Sequence, residues 1–188
     1  MDVPTREPDA ERAHADALHV RVKELERRML EAEDRLELLQ IVASYGPAVD
    51  SGSPAGTAQL WTENGVYDTY PHVLTGRAAI EQMVTGDLHQ QIIDGGAAHL
   101  LGLPHITISG DTAVVTNYSQ LVLRDPDTDG FRVWRTGVNR WEFVRTADGW
   151  RATFRANRQL DGTSGARDLL ASAIEPPGRR EPGGEGMS

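Results

Sequence analysis

The sequence predicts an α+β domain in which helices cover one face of a curved antiparallel sheet. Three observations predict this class. From Glu11 to about Tyr45 there is no Gly or Pro, and helix formers dominate. After position 96, apolar stretches alternate with Gly-Asp and Asp-Gly turns, which is typical of hairpins. Between these two regions, residues 97–108 predict one apolar strand that carries His99 near its start and ends at Gly110-Asp111.

The first helix carries a heptad pattern about four heptads long. Its apolar residues recur in steps of three and four, and the intervening positions are rich in Glu and Arg, as in the solvated faces of a coiled coil. The pattern fits one amphipathic helix lying on its own domain, or a helix that also pairs with a second subunit. We expect a homo-oligomer, either a dimer or a higher assembly. We call the following residues the heptad seam: Ala15, Leu18, Val22, Leu25, Met29, Ala32, Leu36 and Leu39.

Shorter elements are expected between this helix and the sheet. The helix should end at Gly46-Pro47, although helical structure could continue through Asp50. A loop over 51–56 precedes a second short helix that begins at 57–61, with Thr57 as a possible N-cap. The Asn64-Gly65 pair predicts a turn before a strand over 66–70.

The remaining elements form a third helix and a meander of strands. The third helix runs from Arg77 to about Leu88, and Gly95-Gly96 breaks the chain after it. Strands are expected over 112–124, 131–145 and 150–160, joined by polar turns rich in Gly and Asp. A last helix is expected over 166–174, followed by a disordered tail over 175–188.

Composition limits the classes of function. The net charge of −9 argues against a nucleic-acid partner, because phosphate backbones require clustered Lys and Arg. The chain has no cysteine, so disulfides, thiolate metal sites and thiol nucleophiles are excluded. The polar N-terminus lacks an apolar signal region, and no stretch of about 18 apolar residues occurs. We therefore expect a cytoplasmic protein with no membrane partner.

Among the six histidines, His99 is the first candidate for chemistry. At the start of an apolar strand it would face the core or a pocket, where a carboxylate partner would make it a general base. The alternative is a structural histidine with one hydrogen bond. His105 lies six residues further along, while His72 and His89 are expected in or near loops. No metal-ligand spacing, phosphate-binding loop or serine nucleophile turn is present, so no metal and no cofactor are expected.

Several short motifs follow one another along the chain. They are Arg35-Leu36-Glu37-Leu38-Leu39-Gln40 leading to Tyr45 and Asp50, Leu60–Asp68, Gly76-Arg77, His99-Leu100-Leu101-Gly102, Gly110–Ala113 and Val144–Arg151. Their order resembles the SnoaL-like branch of the nuclear-transport-factor-2-like superfamily, and the resemblance covers about Glu31 to Leu160. It implies an α+β cone, usually dimeric, with a curved sheet wrapped around a deep pocket.

The same resemblance implies a set of site residues. In members similar to scytalone dehydratase, hexachlorocyclohexane dehydrochlorinase and bile acid 7α-dehydratase, an aspartate after the first helix pairs with a strand histidine. Asp50 and His99 match those two positions, Tyr45 matches a catalytic tyrosine, and Arg155 matches a pocket arginine. Structural roles remain the alternatives: a helix-end carboxylate for Asp50, a core side chain for Tyr45, and an exposed strand residue for Arg155.

The sequence departs from these relatives at two places. Some dehydratases carry a second acid or histidine on the strand over 112–124, whereas this chain has Leu121 and Leu123 there. Asn117 or Ser119 could supply a hydrogen bond instead. In addition, Gly46-Pro47 interrupts the segment that joins the expected tyrosine and aspartate.

Two functions from different classes follow. The first is a cofactor-independent lyase or isomerase, such as a dehydratase, that acts on a small hydrophobic, aromatic or polycyclic molecule through a His-Asp dyad. The second is a non-catalytic binding protein or partner subunit similar to the small subunit of an oxygenase. The expected organisation is a helical extension over 1–30, a SnoaL-like domain over 31–160, and a C-terminal helix with a flexible tail over 161–188.

Overall fold

The computed structural model describes residues 8–174, and its elements confirm the α+β class. The helices are α1 (Pro8–Asp50), α2 (Pro54–Ala58), α3 (Arg77–Thr85), α4 (Asp87–Asp94) and α5 (Ser164–Ile174). The strands are β1 (Trp61–Asp68), β2 (Val73–Thr75), β3 (Ala97–Leu101), β4 (His105–Ser109), β5 (Thr112–Asp125), β6 (Gly130–Thr146) and β7 (Gly149–Gln159).

One seven-stranded sheet forms the body of the domain. Its order is β2-β1-β7-β6-β5-β3, and β4 also pairs with β5, beyond the end of β3. The predicted meander of β5, β6 and β7 is present, with antiparallel pairing throughout. The strand β1 is parallel to β7, which the local turn signals did not predict. The sheet curves around the C-terminal part of α1, in the cone arrangement that the resemblance implied.

The first helix is continuous through Gly46-Pro47 and ends at Asp50, so the expected stop at that pair is wrong. Proline removes one backbone donor, but burial of the flanking residues Tyr45 and Val49 holds the last turns against the sheet. Side chains spaced at four, three and four residues face the core in this part of the helix: Leu38, Val42, Tyr45 and Val49.

Two of the predicted boundaries near α2 are also wrong. The helix begins at Pro54 and its N-cap is Ser53, whose hydroxyl accepts a hydrogen bond from Gly56 N–H. Asn64-Gly65 does not form a turn between elements. It lies inside β1, where a register shift against β7 absorbs the irregularity.

Two elements predicted as continuous are each divided. The third helix stops at Gly86, whose extended backbone separates α3 from α4. The single strand predicted over 97–108 is split into β3 and β4 by Gly102-Leu103-Pro104, because proline cannot donate to the sheet ladder. His99 and His105 therefore lie on different strands, and the His105 side chain is exposed.

The core lies between the sheet and the helices and is rich in aromatic rings. Three tryptophans have no exposed surface, namely Trp61, Trp141 and Trp150. The final helix begins two residues earlier than predicted, at Ser164. The expected tail over 175–188 lies outside the described residues, and the domain boundaries remain predictions.

Candidate active site

Asp50 and His99 are in hydrogen-bond contact. Asp50 is the last residue of α1, and His99 is the third residue of β3. Asp50 Oδ1 lies 2.5 Å from His99 Nδ1, and Asp50 Oδ2 accepts a hydrogen bond of 2.7 Å from the His99 backbone N–H. One carboxylate therefore holds both the ring and the backbone of the histidine. Both side chains are about one-fifth exposed.

This contact defines the tautomer of the neutral imidazole. Because an ionised carboxylate can only accept, His99 Nδ1 carries the hydrogen and Nε2 is left with a free lone pair. His99 also lines two adjoining cavities, so the ring is accessible to a small molecule. A neutral imidazole in this state is competent to accept a proton at Nε2.

Gly46 permits the close approach of α1 to β3. It is buried, and a Cβ at this position would collide with the carbonyl oxygen of His99. Gly46 lies one helical turn before Asp50, so its lack of a side chain brings the carboxylate within reach of the strand. The Gly46-Pro47 pair, which appeared in the sequence as an interruption, is thus compatible with the contact.

Arg155 is buried in the wall of the site, with 2% of its surface exposed. Its Nε and Nη2 donate to Asn139 Oδ1 at 3.1 and 2.9 Å, whereas Nη1 has no hydrogen-bond partner. The guanidinium carbon lies 3.8, 4.2 and 4.5 Å from the ring centroids of Tyr45, Trp141 and Tyr67. No carboxylate of the described residues forms an ion pair with it. Arg155 is thus a buried cation stabilised by aromatic faces, with one donor free.

A bulge in β7 explains why Arg155 faces inward. Trp150 and Ala152 are buried, and simple alternation would place Arg155 on the opposite face of the sheet. The pairing of β6 with β7 shifts by one residue at Thr153, so that the inward positions become Arg155 and Asn157. The alternative of an exposed strand arginine is therefore wrong.

Two tyrosines adjoin Arg155 and differ in acidity. Burial raises the pKa of the Tyr45 hydroxyl well above its ordinary value, so this group stays protonated. Burial also opposes the ionisation of Tyr67, but the Arg155 charge and hydrogen bonds from Tyr45 and Thr69 outweigh it and lower its pKa. Tyr67 is the stronger acid of the two, and the sequence motifs did not mark it as a site residue.

The site is a large cavity that leads to a small chamber. The outer cavity has a volume of about 590 Å³ and the inner chamber about 40 Å³, enough for one or two non-hydrogen atoms. Arg155 and Asn157 line the inner chamber, and apolar side chains dominate the outer cavity. Five residues line both spaces: Tyr45, Tyr67, His99, Leu121 and Arg135. Apolar residues of the outer cavity are Leu74, Met83, Leu88, Ile92 and Trp134.

His89 is a second imidazole in this cavity. It belongs to α4, and its ring centroid lies 5.9 Å from that of His99. Its Nε2 lies 2.9 Å from the Val49 carbonyl oxygen, which can only accept, so Nε2 carries the hydrogen and Nδ1 is an acceptor in the neutral ring. The sequence predicted His89 in or near a loop, and no local pattern marked it as a neighbour of His99.

The other residues singled out from the sequence have structural or peripheral positions. Leu121 lies directly opposite His99 across the β3–β5 pairing and lines the cavity without a polar group. Asn117 accepts a hydrogen bond of 3.1 Å from Trp141 Nε1 and holds this ring in the core. Ser119 lines the inner chamber. Leu123 pairs with Ala97 near the end of the sheet.

Within residues 8–174, no group of three or more histidine or acidic side chains is arranged to hold a metal ion. None of the helices in that same range is long and apolar enough to cross a membrane.

The fold and the buried charged cavity define a class of small α+β cone proteins with an internal site. The chain belongs to the SnoaL-like domain family, whose model matches residues 30–156. This membership confirms the resemblance drawn from the sequence motifs. No curated protein matches the chain significantly.

Three solved structures illustrate the relationship. A nuclear-transport-factor-2-like protein with a cystatin-like fold from Novosphingobium aromaticivorans is 38% identical, with a TM-score of 0.76, over 79% of this chain and 96% of that one. A protein from the same organism described as an aromatic ring hydroxylase is 27% identical, with a TM-score of 0.57, over 69% and 90%. A Streptomyces avermitilis protein described as a dehydratase is 19% identical, with a TM-score of 0.56, over 69% and 98%, and supports the fold alone.

Proposed function

We propose that the protein is a cofactor-independent lyase or isomerase that acts on a small, largely apolar molecule, with dehydration or another β-elimination as the expected reaction. The observation that carries this proposal is the contact of Asp50 Oδ1 with His99 Nδ1, at 2.5 Å, beside a cavity of about 590 Å³. The general base, the carboxylate that orients it and the space for a substrate therefore lie together.

In the proposed reaction, His99 Nε2 removes a proton from a carbon atom next to a carbonyl group. Asp50 stabilises the imidazolium that forms and prevents rotation of the ring. The electron pair of the broken C–H bond forms the new double bond, and the substituent on the β-carbon leaves with its bonding pair. In an isomerase, the same proton would return to a different carbon.

Arg155 is the proposed stabiliser of negative charge. Removing a proton beside a carbonyl group places charge on the carbonyl oxygen, and this charge requires a donor in a site with little water. Arg155 lines the inner chamber and its Nη1 has no hydrogen-bond partner, and the volume of the chamber suits a single oxygen atom. Tyr45, which remains protonated, donates its hydrogen bond to Tyr67 and positions that side chain beside the inner chamber.

Tyr67 is the proposed general acid. A departing hydroxide must gain a proton to leave as water, and the lowered pKa of Tyr67 makes its hydroxyl a better donor than an ordinary phenol. His89 Nδ1 is placed to accept a hydrogen bond from a substrate hydroxyl. These two residues take the place of the acid that is missing at Leu121.

The substrate class follows from the walls of the cavity. Its volume lies in the range of about 300–1,000 Å³ that is usual for sites of drug-sized ligands. Mostly apolar walls suit a cyclic or aromatic body, and the inner chamber suits one carbonyl oxygen. We therefore expect an aromatic or alicyclic β-hydroxy ketone or a close analogue.

The experiment is an elimination assay with a panel of aryl and alicyclic β-hydroxy ketones, followed by the absorbance of the conjugated enone. Proton exchange next to the carbonyl in D₂O, measured by NMR, detects proton abstraction without elimination. His99→Gln should lower either rate by about 10²–10⁴-fold. His105→Gln is the matched control, because His105 is exposed on β4 and is not part of the site.

A non-catalytic binding protein or oxygenase partner subunit is the second candidate, favoured by the leucine that faces His99 across the sheet. In that case the probes would bind, as detected by calorimetry, without exchange or elimination above the buffer rate. Equal rates for His99→Gln and the native protein would likewise overturn the proposed base.

A further inference from the structure

The N-terminal part of α1 extends away from the domain. All side chains from residue 11 to residue 30 are exposed, and full burial begins only at Leu38. The complete helix has 43 residues, which corresponds to a length of about 65 Å. A helix in water gains most of its stability from packing one apolar face. This part has an apolar face, and in a single chain nothing among the described residues packs against it.

That face is the heptad seam. Its four central large residues are each about half exposed, and they lie on the side of the helix opposite to the domain contacts. Asp34, at heptad position f on the face opposite the seam, is on the domain side and accepts hydrogen bonds from Arg145 and Trp150. The exposed fractions are 49% for Leu18, 49% for Val22, 53% for Leu25 and 57% for Met29.

We propose that the heptad seam binds the same seam of a second copy of this chain, as a parallel, in-register, two-stranded coiled coil. The charges beside the seam identify this partner. With Val22 and Met29 at heptad position a, the flanking position g carries Arg21 and Arg28, and the flanking position e carries Glu26 and Glu33.

In a parallel pair, a g residue faces the e residue five positions further along the partner helix. Arg21 then faces Glu26 of the second copy, and Arg28 faces Glu33, so that all four contacts of the dimer join opposite charges. In an antiparallel pair, g residues face g residues and e residues face e residues, which would bring arginine against arginine. The charge pattern therefore selects the parallel orientation.

The four charges are also free to make these contacts. Within the described residues, the ion pairs along this helix join Arg27 to Glu24 and Glu31, and Arg35 to Glu31. The g and e residues of the two central heptads are not included in these pairs.

The central heptad of the seam has residues that favour two strands rather than more. A β-branched residue at position a with leucine at position d is typical of parallel dimers, and here Val22 lies between Leu18 and Leu25. Four heptads also reach the length at which a heptad pattern predicts a coiled coil. This inference is independent of the proposed enzymatic function.

Disulfide trapping in the full-length protein tests the orientation and the register. Because the chain has no cysteine, a single introduced cysteine can form a disulfide only with the same cysteine of a second chain. Leu25→Cys should give a covalent dimer under mild oxidation. Leu18→Cys, one heptad earlier, should do the same. Glu24→Cys is the matched control, since it is on the same helix, outside the seam, and equally accessible.

Charge reversal tests the partner contacts. The Arg21→Glu/Arg28→Glu chain and the Glu26→Arg/Glu33→Arg chain should each lose self-association through the helix, with at least about a tenfold rise in Kd. Mixing the two chains should restore pairing, because opposite charges then meet again. With Leu25→Cys added to both chains, disulfide formation detects pairing of the two helices even if another surface of the protein also associates.

The proposal is overturned if Leu25→Cys and Leu18→Cys cross-link no faster than Glu24→Cys. It is equally overturned if each charge-reversed chain, on its own, cross-links through Leu25→Cys at the same rate as the chain with native charges. A partner other than a second copy would give the first result.

Discussion

Replacement of Arg155 by methionine separates a functional from a structural role for this buried cation. Methionine has a similar length, fills the same space between the aromatic rings, and removes the charge. The Arg155 guanidinium is stabilised by two hydrogen bonds that it donates to Asn139 Oδ1, at 3.1 and 2.9 Å, and by contacts with three aromatic ring faces. It is destabilised by the lack of a counter-ion and by Nη1, which has no hydrogen-bond partner.

The magnitudes nearly cancel. Hydrogen bonds from a charged group contribute about 1.5–3 kcal/mol each, and a desolvated cation on aromatic faces contributes about 2 kcal/mol. Burial of an ion without a partner costs several kcal/mol. We therefore expect Arg155→Met to change the free energy of unfolding by no more than about 2 kcal/mol, in either direction. Elimination or proton exchange should fall by about 10²–10³-fold, the usual loss for one donor to a developing oxyanion.

The assay is urea unfolding followed by tryptophan fluorescence, together with the rates on the ketone panel. Arg158→Met is the control, because Arg158 lies on the same strand as Arg155 but forms an ion pair with Asp68 of β1. Its replacement leaves a partly buried carboxylate without a partner. A loss of more than about 4 kcal/mol with Arg155→Met would refute the reasoning, since the arginine would then be needed for folding rather than kept for chemistry.

Three further predictions concern the acid stability conferred by Asp68, the titration of Tyr67 and the packing around Gly46. Hydrogen bonds from Arg158 lower the pKa of Asp68. This pair therefore stabilises the fold above the unfolded pKa, and stability is lost as pH falls below about 4; Arg158→Met should weaken that dependence in acid unfolding curves. Tyr67→Phe should remove the tyrosine that ionises below its ordinary pKa, as measured by tyrosinate absorbance, and an unchanged titration would contradict the assignment. Gly46→Ala should destabilise the protein by about 1–3 kcal/mol, whereas Gly165→Ala, whose Cβ meets nothing, should not.

The class of fold could be predicted because its signals are local. The helix formers of α1, the turns between β5, β6 and β7, and the order of the short motifs all lie close together in the sequence. The boundaries that were wrong depend on distant contacts. Pro47 continues a helix only because the sheet packs against its neighbours, and Asn64-Gly65 stays in a strand only because β7 lies beside it.

The candidate site was predictable in part for the same reason. Asp50 and His99 followed from the family motifs, and the structure brings them into contact. The inward position of Arg155 depends on the bulge at Thr153, and alternation along the sequence carries no sign of a one-residue insertion. His89 was missed because its approach to His99 is set by the division of one predicted helix at Gly86.

Gly46 has a consequence for sorting the members of this family. A larger residue at this position would push α1 away from the strand, and a carboxylate one turn later would no longer reach the imidazole. A SnoaL-like chain can therefore carry both the aspartate and the histidine and still lack their contact. The residue four places before the aspartate is thus a simple criterion, readable from any sequence, for deciding which members share this arrangement.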